Sequence, residues 1–210
     1  MKVLLVNGSP HAKGCTYTAL CEVQKVLNEE GIETEIFQLG AKPISGCIGC
    51  GNCRTKGKCF IEDDVNGFVE RCVHADGFIF GSPVHYAAAT GSVTSFMDRA
   101  FFSNMCAGKN AFYLKPAACV VSARRGGTTA TFDQLNKYFT ISQMPVISSR
   151  YWNMVHGQTP DEVQKDLEGL QTMRILGRNM AWFLKCKEAG LKAGVPFPKQ
   201  EPGVMTNFIR

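Results

Sequence analysis

Short apolar runs alternate with amphipathic stretches along the first 150 residues. Lys2–Val6 (KVLLV) is apolar at successive positions, as a strand buried on both faces would be. Between Thr16 and Glu30 the apolar residues Ala19, Leu20, Val23, Val26 and Leu27 recur at helical spacing, and Gly31 supplies a stop. Ile32–Leu39 alternates like a second strand. Asp63–Ala75 reads as a helix, Gly77–Phe80 as a third strand and Ser92–Phe102 as another helix. Ala117–Ser122 is the fourth strand, followed by a helix near Phe132–Phe139, and Val146–Ser149 is the fifth. Val163, Leu167, Leu170, Met173, Leu176, Met180 and Phe183 recur every three or four residues and predict one long C-terminal helix. From Gly190 onward, Pro196, Pro198 and Pro202 mark an extended tail. Five strands with intervening helices predict an α/β domain with a doubly wound parallel sheet over residues 1–190, and a tail over 191–210.

Composition changes this picture little. The 210 residues, 45% of them hydrophobic, are enough for one domain with its own core. The net charge of +5 is spread over scattered basic residues, so no nucleic-acid surface is expected. No apolar run approaches the roughly 20 residues of a membrane helix, and the N-terminal apolar stretch breaks at Asn7-Gly8 with no cleavage region. A cytoplasmic protein is expected.

In a doubly wound sheet, ligands bind beyond the carboxyl ends of the strands, where the strand order reverses. Three loops qualify. Asn7–Thr18 (NGSPHAKGCTYT) joins a strand to a helix N-terminus and carries small and hydroxyl residues, which suits an anion site or an ordinary capped turn. It is neither a Walker loop nor a G-x-G-x-x-G fingerprint. Gly81–Ser92 (GSPVHYAAATGS) holds Pro83 beside the flat side chains His85 and Tyr86. Ser122–Thr131 (SARRGGTTAT) contains a glycine pair that lets backbone approach a ligand closely.

Four cysteines, Cys47, Cys50, Cys53 and Cys59, lie in thirteen residues as C-x2-C-x2-C-x5-C. A reducing compartment disfavours disulfides. Structural zinc sites usually pair two knuckles across a longer stretch. Three thiols at every third position can wrap three corners of a [4Fe–4S] cube, with Cys59 as the fourth ligand and Gly49, Gly51 and Gly57 permitting tight turns. Zinc, or no metal at all, stays open. The other six cysteines (Cys15, Cys21, Cys72, Cys106, Cys119 and Cys186) read as small core residues.

The segments GSPHAKGCT, GSPVHYAAATGSVTSFMDR and SARRGGTT, in this order after strands one, three and four, resemble the flavodoxin-like NAD(P)H-dependent FMN reductase family. The cysteine run followed by Asp63-Asp64 resembles its iron–sulfur flavoprotein subset. The resemblance implies strand order 2-1-3-4-5 and FMN at the border of strands one and three. It places Ser9, His11, Lys13, Cys15, Thr16 and Thr18 around the phosphate. Pro83, Val84, His85 and Tyr86 would border the flavin ring, and Ser122, Arg124, Gly126 and Gly127 its other edge. It implies an oxidoreductase or electron-transfer flavoprotein, with a [4Fe–4S] cluster, that moves electrons from NAD(P)H or a ferredoxin-type carrier to a small acceptor such as a quinone, nitro- or azo-aromatic. A cluster-free reductase and a non-catalytic shuttle are the alternatives. No side chain is required as acid or base. Because the cysteine loop leaves strand two, offset from the flavin, a homo-oligomer (dimer or tetramer) is expected, with the tail or Tyr151–Gly157 at an interface and Trp152 and His156 near it.

Overall fold

A computed structural model describes Met1–Phe208. The chain runs β1 (Lys2–Asn7), α1 (Cys15–Glu29), β2 (Glu33–Gln38), α2 (Cys53–Lys56), α3 (Asp64–Val73), β3 (Gly77–His85), β4 (Ala88–Ala89), α4 (Gly91–Cys106), β5 (Ala117–Ala123), α5 (Thr128–Ile141), β6 (Met154–His156), α6 (Pro160–Lys165) and α7 (Leu167–Lys192). The sheet order is β2-β1-β3-β5-β6, all parallel, with the two-residue β4 paired antiparallel to the end of β3. Apart from β4, this is the expected 2-1-3-4-5 order.

The unbroken apolar runs have a direct cause. Successive strand residues point to opposite faces, and both faces are covered. Leu4 and Val6 of β1, Phe78 and Phe80 of β3, and Cys119 and Val121 of β5 face α3, α4 and α5. Val3 and Leu5, Ile79, and Ala118 and Val120 face α1, α6 and α7. On the first face Phe96 of α4 packs 4.8 Å from Phe68 and 5.9 Å from Phe37. Phe101 stacks on Phe112 at 4.3 Å. These rings fix the rotation of α4, which matters below.

Three expectations are corrected. The edge strand is Met154–His156, not Val146–Ser149. Val146 makes a single bridge to Ala117, and the chain rejoins β5 only where the Val121 N–H donates to Asn153 O at 2.9 Å. Both runs bury a side chain, Ile147 in the first and Met154 and Val155 in the second; only the second runs in register with β5, pairing Met154, Val155 and His156 with Val121, Ser122 and Ala123. The single C-terminal helix is two helices. Asp166 interrupts it by accepting the Gly169 N–H at 2.9 Å as an N-cap and the His156 N–H at 2.7 Å. Among the six outlying cysteines, Cys72 and Cys119 are core residues, but Cys186 is exposed and Cys106 is only half-buried.

Beyond α7, residues 193–208 carry no helix or strand. Phe197 lies under Lys187 of α7 at 5.9 Å, and Gln200 bonds the Tyr113 hydroxyl. Val204, Met205 and Phe208 are exposed.

Candidate functional site

Two separate sites emerge, and they share no lining residue. The first is a cleft of about 460 Å³ at the carboxyl ends of β1, β3 and β5. Ser9, His11, Lys13, Cys15, Thr16, Pro83, Val84, Ser122 and Arg124 line it, as do Gly14, Ala123 and residues 157–160. Its lining holds the cations Lys13 and Arg124 and no carboxylate. Gly14 caps α1 without a side-chain hydrogen bond, so the backbone N–H groups of the first turn are left for an anion. A phosphate dianion fits this donor set.

The first loop is braced from beneath. Asn7 is fully buried; its Nδ2 donates to Gln38 Oε1 at 2.5 Å, and its Oδ1 accepts the Ser9 N–H at 3.2 Å. Gln38 Nε2 donates to Ser9 O at 2.7 Å, and Ser9 Oγ accepts the His11 N–H at 3.1 Å. The hydroxyls of Thr16 and Ser122 lie 2.8 Å apart and join the first loop to the third. The first and second loops meet at Gly8, whose N–H donates to Gly81 O at 2.9 Å. A Cβ on Gly8 would stand 2.1 Å from Val93 Cγ2 and 2.6 Å from Gly81 O. Gly8→Ala must therefore separate β1 from β3. It is expected to cost about 1–3 kcal/mol and to weaken flavin binding, read by urea unfolding and by fluorescence titration with FMN.

The remaining expected flavin contacts stand back from the cleft. Thr18 donates to Gly14 O at 3.1 Å within its own helix. His85 and Tyr86 belong to the β3–β4 hairpin, where His85 pairs with Ala88 around a two-residue turn. Tyr86 and Ala87 have φ of 50° and 61°, the mirror-image turn that matches strand twist but is strained for residues other than glycine. Tyr86 is fully exposed. Gly127, at φ 95°, packs beneath this turn; a Cβ there would meet Ala87 Cα at 2.7 Å. Gly126 lies beside it. These residues shape the cleft's rim instead of lining it. The sequence reading missed residues 157–160, although Thr159-Pro160, a cap followed by a proline at the helix start, was a legible signal of a loop there. Cys15 Sγ donates to Gly157 O at 3.5 Å and holds that segment to α1. Trp152 and Tyr151 are exposed, and neither they nor His156 line the cleft.

The second site is a small cavity ringed by Cys47, Cys50, Cys53 and Cys59. Gly49, Gly51 and Gly57 adopt φ of 65°, 71° and 69°, the left-handed turns that fold the loop around it. Its other walls are Ile48, Phe60, Ile61 and Phe102, with Arg99 and Ser103 of α4. No imidazole or carboxylate lines it. Among the described residues, no three His, Cys, Asp or Glu side chains converge closely enough to hold a metal ion. An all-thiol donor set in an apolar wall fits an iron–sulfur cluster.

Arg99 organises this site, and the sequence reading gave it no role. Its side chain is fully buried. Nη1 donates to Asp63 Oδ2 at 2.5 Å and Ser45 O at 3.2 Å; Nη2 donates to Asp63 Oδ1 at 2.8 Å and Ile61 O at 3.0 Å. Nε donates to Cys59 Sγ at 3.3 Å. All five donors of the guanidinium are thus directed at the cysteine loop and its exit. Burial alone raises the Asp63 carboxyl, but the Arg99 hydrogen bonds and the Val65 N–H hold it below the ordinary value. Asn66 closes the loop from the other side: its Oδ1 accepts the Cys59 N–H, and its Nδ2 donates to Cys59 O, each at 3.0 Å. Burial raises the Cys53 thiol, and the neighbouring Cys106 thiol adds to this. The signal for Arg99 was that it is the one basic residue of α4, placed between Phe96 and Ser103, both of which are buried.

Beyond Cys47 and Gly49 a larger cavity of about 600 Å³ opens, walled by Phe101, Phe112, Tyr113 and Tyr138. The Tyr138 hydroxyl donates to Asp98 Oδ1 at 2.5 Å.

Comparison with known proteins places this geometry. Residues 1–159 match the NADPH-dependent FMN reductase family. An iron–sulfur flavoprotein of Methanocaldococcus jannaschii is 34% identical over 194 residues, spanning 88% of this chain and 98% of the relative. A flavodoxin from the domain Archaea superposes with a TM-score of 0.58 at 14% identity, over 88% of this chain and 99% of its own. The NAD(P)H:acceptor flavoenzyme FerB of Paracoccus denitrificans gives a TM-score of 0.64 at 14% identity, over 88% and 97%. The chain belongs to the NADPH-dependent FMN reductase family, in its iron–sulfur flavoprotein subset, and is a flavin-dependent oxidoreductase with a flavodoxin-like fold.

Proposed function

We propose that the chain binds FMN in the 460 Å³ cleft and a [4Fe–4S] cluster on Cys47, Cys50, Cys53 and Cys59, and passes electrons from NAD(P)H or a ferredoxin-type carrier to a small acceptor. One observation carries this reading: a cation-lined cleft free of carboxylates and a cavity ringed by four thiols occur in one chain without sharing a residue. Flavin and cluster together supply exchange between two-electron and one-electron chemistry. The protein's part is positional. Lys13, Arg124 and the first turn of α1 neutralise the phosphate. Pro83 and Val84 give the ring an apolar wall, and the braced Ser9 loop holds backbone groups at its edge. No side chain is assigned as an acid or base.

At the cysteine loop, Arg99 places a buried cation against the Cys59 sulfur and donates a hydrogen bond to it, orienting that side chain toward the cavity wall. The aromatic cavity beside Cys47 offers a flat acceptor, of quinone or nitro-aromatic type, a place next to the loop. The thiol cavity lies near Arg99, eight residues into α4 and so about 12 Å down that helix from the hairpin loop. That offset supports transfer between subunits of a homo-oligomer. The exposed Val204, Met205 and Phe208 of the tail offer an apolar contact for such an assembly.

The test is anaerobic purification followed by analysis of iron, acid-labile sulfide and FMN, with a visible spectrum. About four irons and four sulfides per FMN are expected. Full FMN with neither iron nor sulfide overturns the cluster. Steady reduction of a small acceptor by NAD(P)H alone identifies the donor and excludes a pure shuttle. An active monomer in solution removes transfer between subunits.

A further inference from the structure

Arg99, Ser103 and Cys106 succeed one another along α4 at steps of four and three residues, so they share one helix face. Arg99 and Ser103 line the thiol cavity, which shows that this face meets the cysteine loop. Cys106 stands one turn further on. It is half-buried, and its thiol interacts with that of Cys53, the first residue of α2, which packs on α4. A fifth thiol therefore lies on the α4 face against which α2, beginning at Cys53, packs. The four cysteines of the loop differ in their surroundings. Cys53 is the buried member at 7% exposure, Cys47 and Cys50 face solvent, and Cys59 is held by Arg99 and Asn66.

We propose that Cys53 and Cys106 are a redox pair that closes to a disulfide whenever the loop carries no cluster, so that Cys53 is withdrawn from ligation until the bond is reduced. The oxidant is a low-molecular-weight disulfide. The more accessible Cys106 sulfur attacks it, forming a mixed disulfide and releasing one small thiol. The Cys53 sulfur then displaces the second small thiol and forms the Cys53–Cys106 bond. Two protein thiols are oxidised, one small disulfide is reduced to two thiols, and the protons leave on those thiols. The pair spans two helices that pack on each other, the arrangement that brings a disulfide between them within reach. The pairing is independent of the cluster reading; only its effect on loading rests on that reading.

The full-length protein, stripped of metal by chelation under anaerobic conditions, is incubated with oxidised glutathione, alkylated, digested and mapped by mass spectrometry. The expected product is a Cys53–Cys106 cross-link, with two alkylatable thiols lost. Iron uptake from ferrous salt and sulfide is expected to fall about tenfold and to return after dithiothreitol. Cys106→Ser is expected to give no such cross-link and to keep its iron uptake after oxidation. A main cross-link within Cys47, Cys50 and Cys59, with Cys106 alkylated, overturns the proposal, and so does equal loss of uptake in Cys106→Ser. If reduced wild-type protein takes up no iron, the cluster reading fails while the cross-link map still decides the pair.

Discussion

Arg99→Met is expected to destabilise the protein by about 3–5 kcal/mol and to release the cysteine loop, while leaving the flavin cleft formed. The magnitude follows from what is orphaned. The Asp63 carboxylate loses both charge-assisted hydrogen bonds, and the carbonyls of Ser45 and Ile61 lose their donors. Methionine fills much of the volume, so the loss is one of pairing more than of packing. The midpoint and slope of urea unfolding measure it. Asp63→Asn in the Arg99→Met background is expected to recover part of the loss, because no unpaired charge is then left. A shift under 1 kcal/mol in Arg99→Met would show that the pair contributes little.

The same pair gives a pH signature. The Asp63 carboxyl titrates below its ordinary value in the folded protein, so it binds fewer protons there than in the unfolded chain. Its contribution is therefore complete above the ordinary carboxylate range, near pH 4, and is lost as pH falls through the folded value. Wild-type stability should drop over that acid window. Arg99→Met should show a shallower drop, because Asp63 then has no cation to hold its proton affinity down.

Cys59→Ala is expected to cut iron and sulfide to roughly a tenth or less while FMN stays bound in full. Cys59 is the thiol most firmly held by the fold, through Asn66 at its backbone and Arg99 at its sulfur. The cavity lining supplies no other thiol, imidazole or carboxylate to replace it. The flavin cleft has no wall in common with this cavity, so the two losses should separate. Metal analysis beside the flavin absorbance decides the matter. Equal loss of FMN and iron would show that the sites depend on each other.

Much of the lining of the 460 Å³ cleft was legible because its loops carry local chemistry. Ser9, Pro83 and Ser122 sit at strand ends, where topology alone brings ligands. Thr18, His85 and Tyr86 were less legible, because proximity in sequence does not fix direction. Thr18 turns to its own helix, and the Tyr86-Ala87 turn carries its side chains outward. The Val146–Ser149 strand was misplaced because both it and Met154–His156 are short runs with a buried apolar residue; continuous pairing with β5 belongs to the second alone. The break at Asp166 was hidden because the apolar spacing continues across it, while the break itself comes from side-chain bonds to Gly169 and His156.

By itself the sequence determined the parallel α/β sheet and the thiol run, because apolar periodicity, turn residues and cysteine spacing are local properties; the strand order came only with the family resemblance of the three loops. Only the tertiary structure decided what those cysteines meet. Phe37, Phe68 and Phe96 fix the rotation of α4, and that rotation delivers Arg99 to Cys59 and Asp63 across 40 and 36 residues. It also delivers Cys106 to Cys53. A buried charge finds its partners through packing, and packing is not written at any one place in the chain.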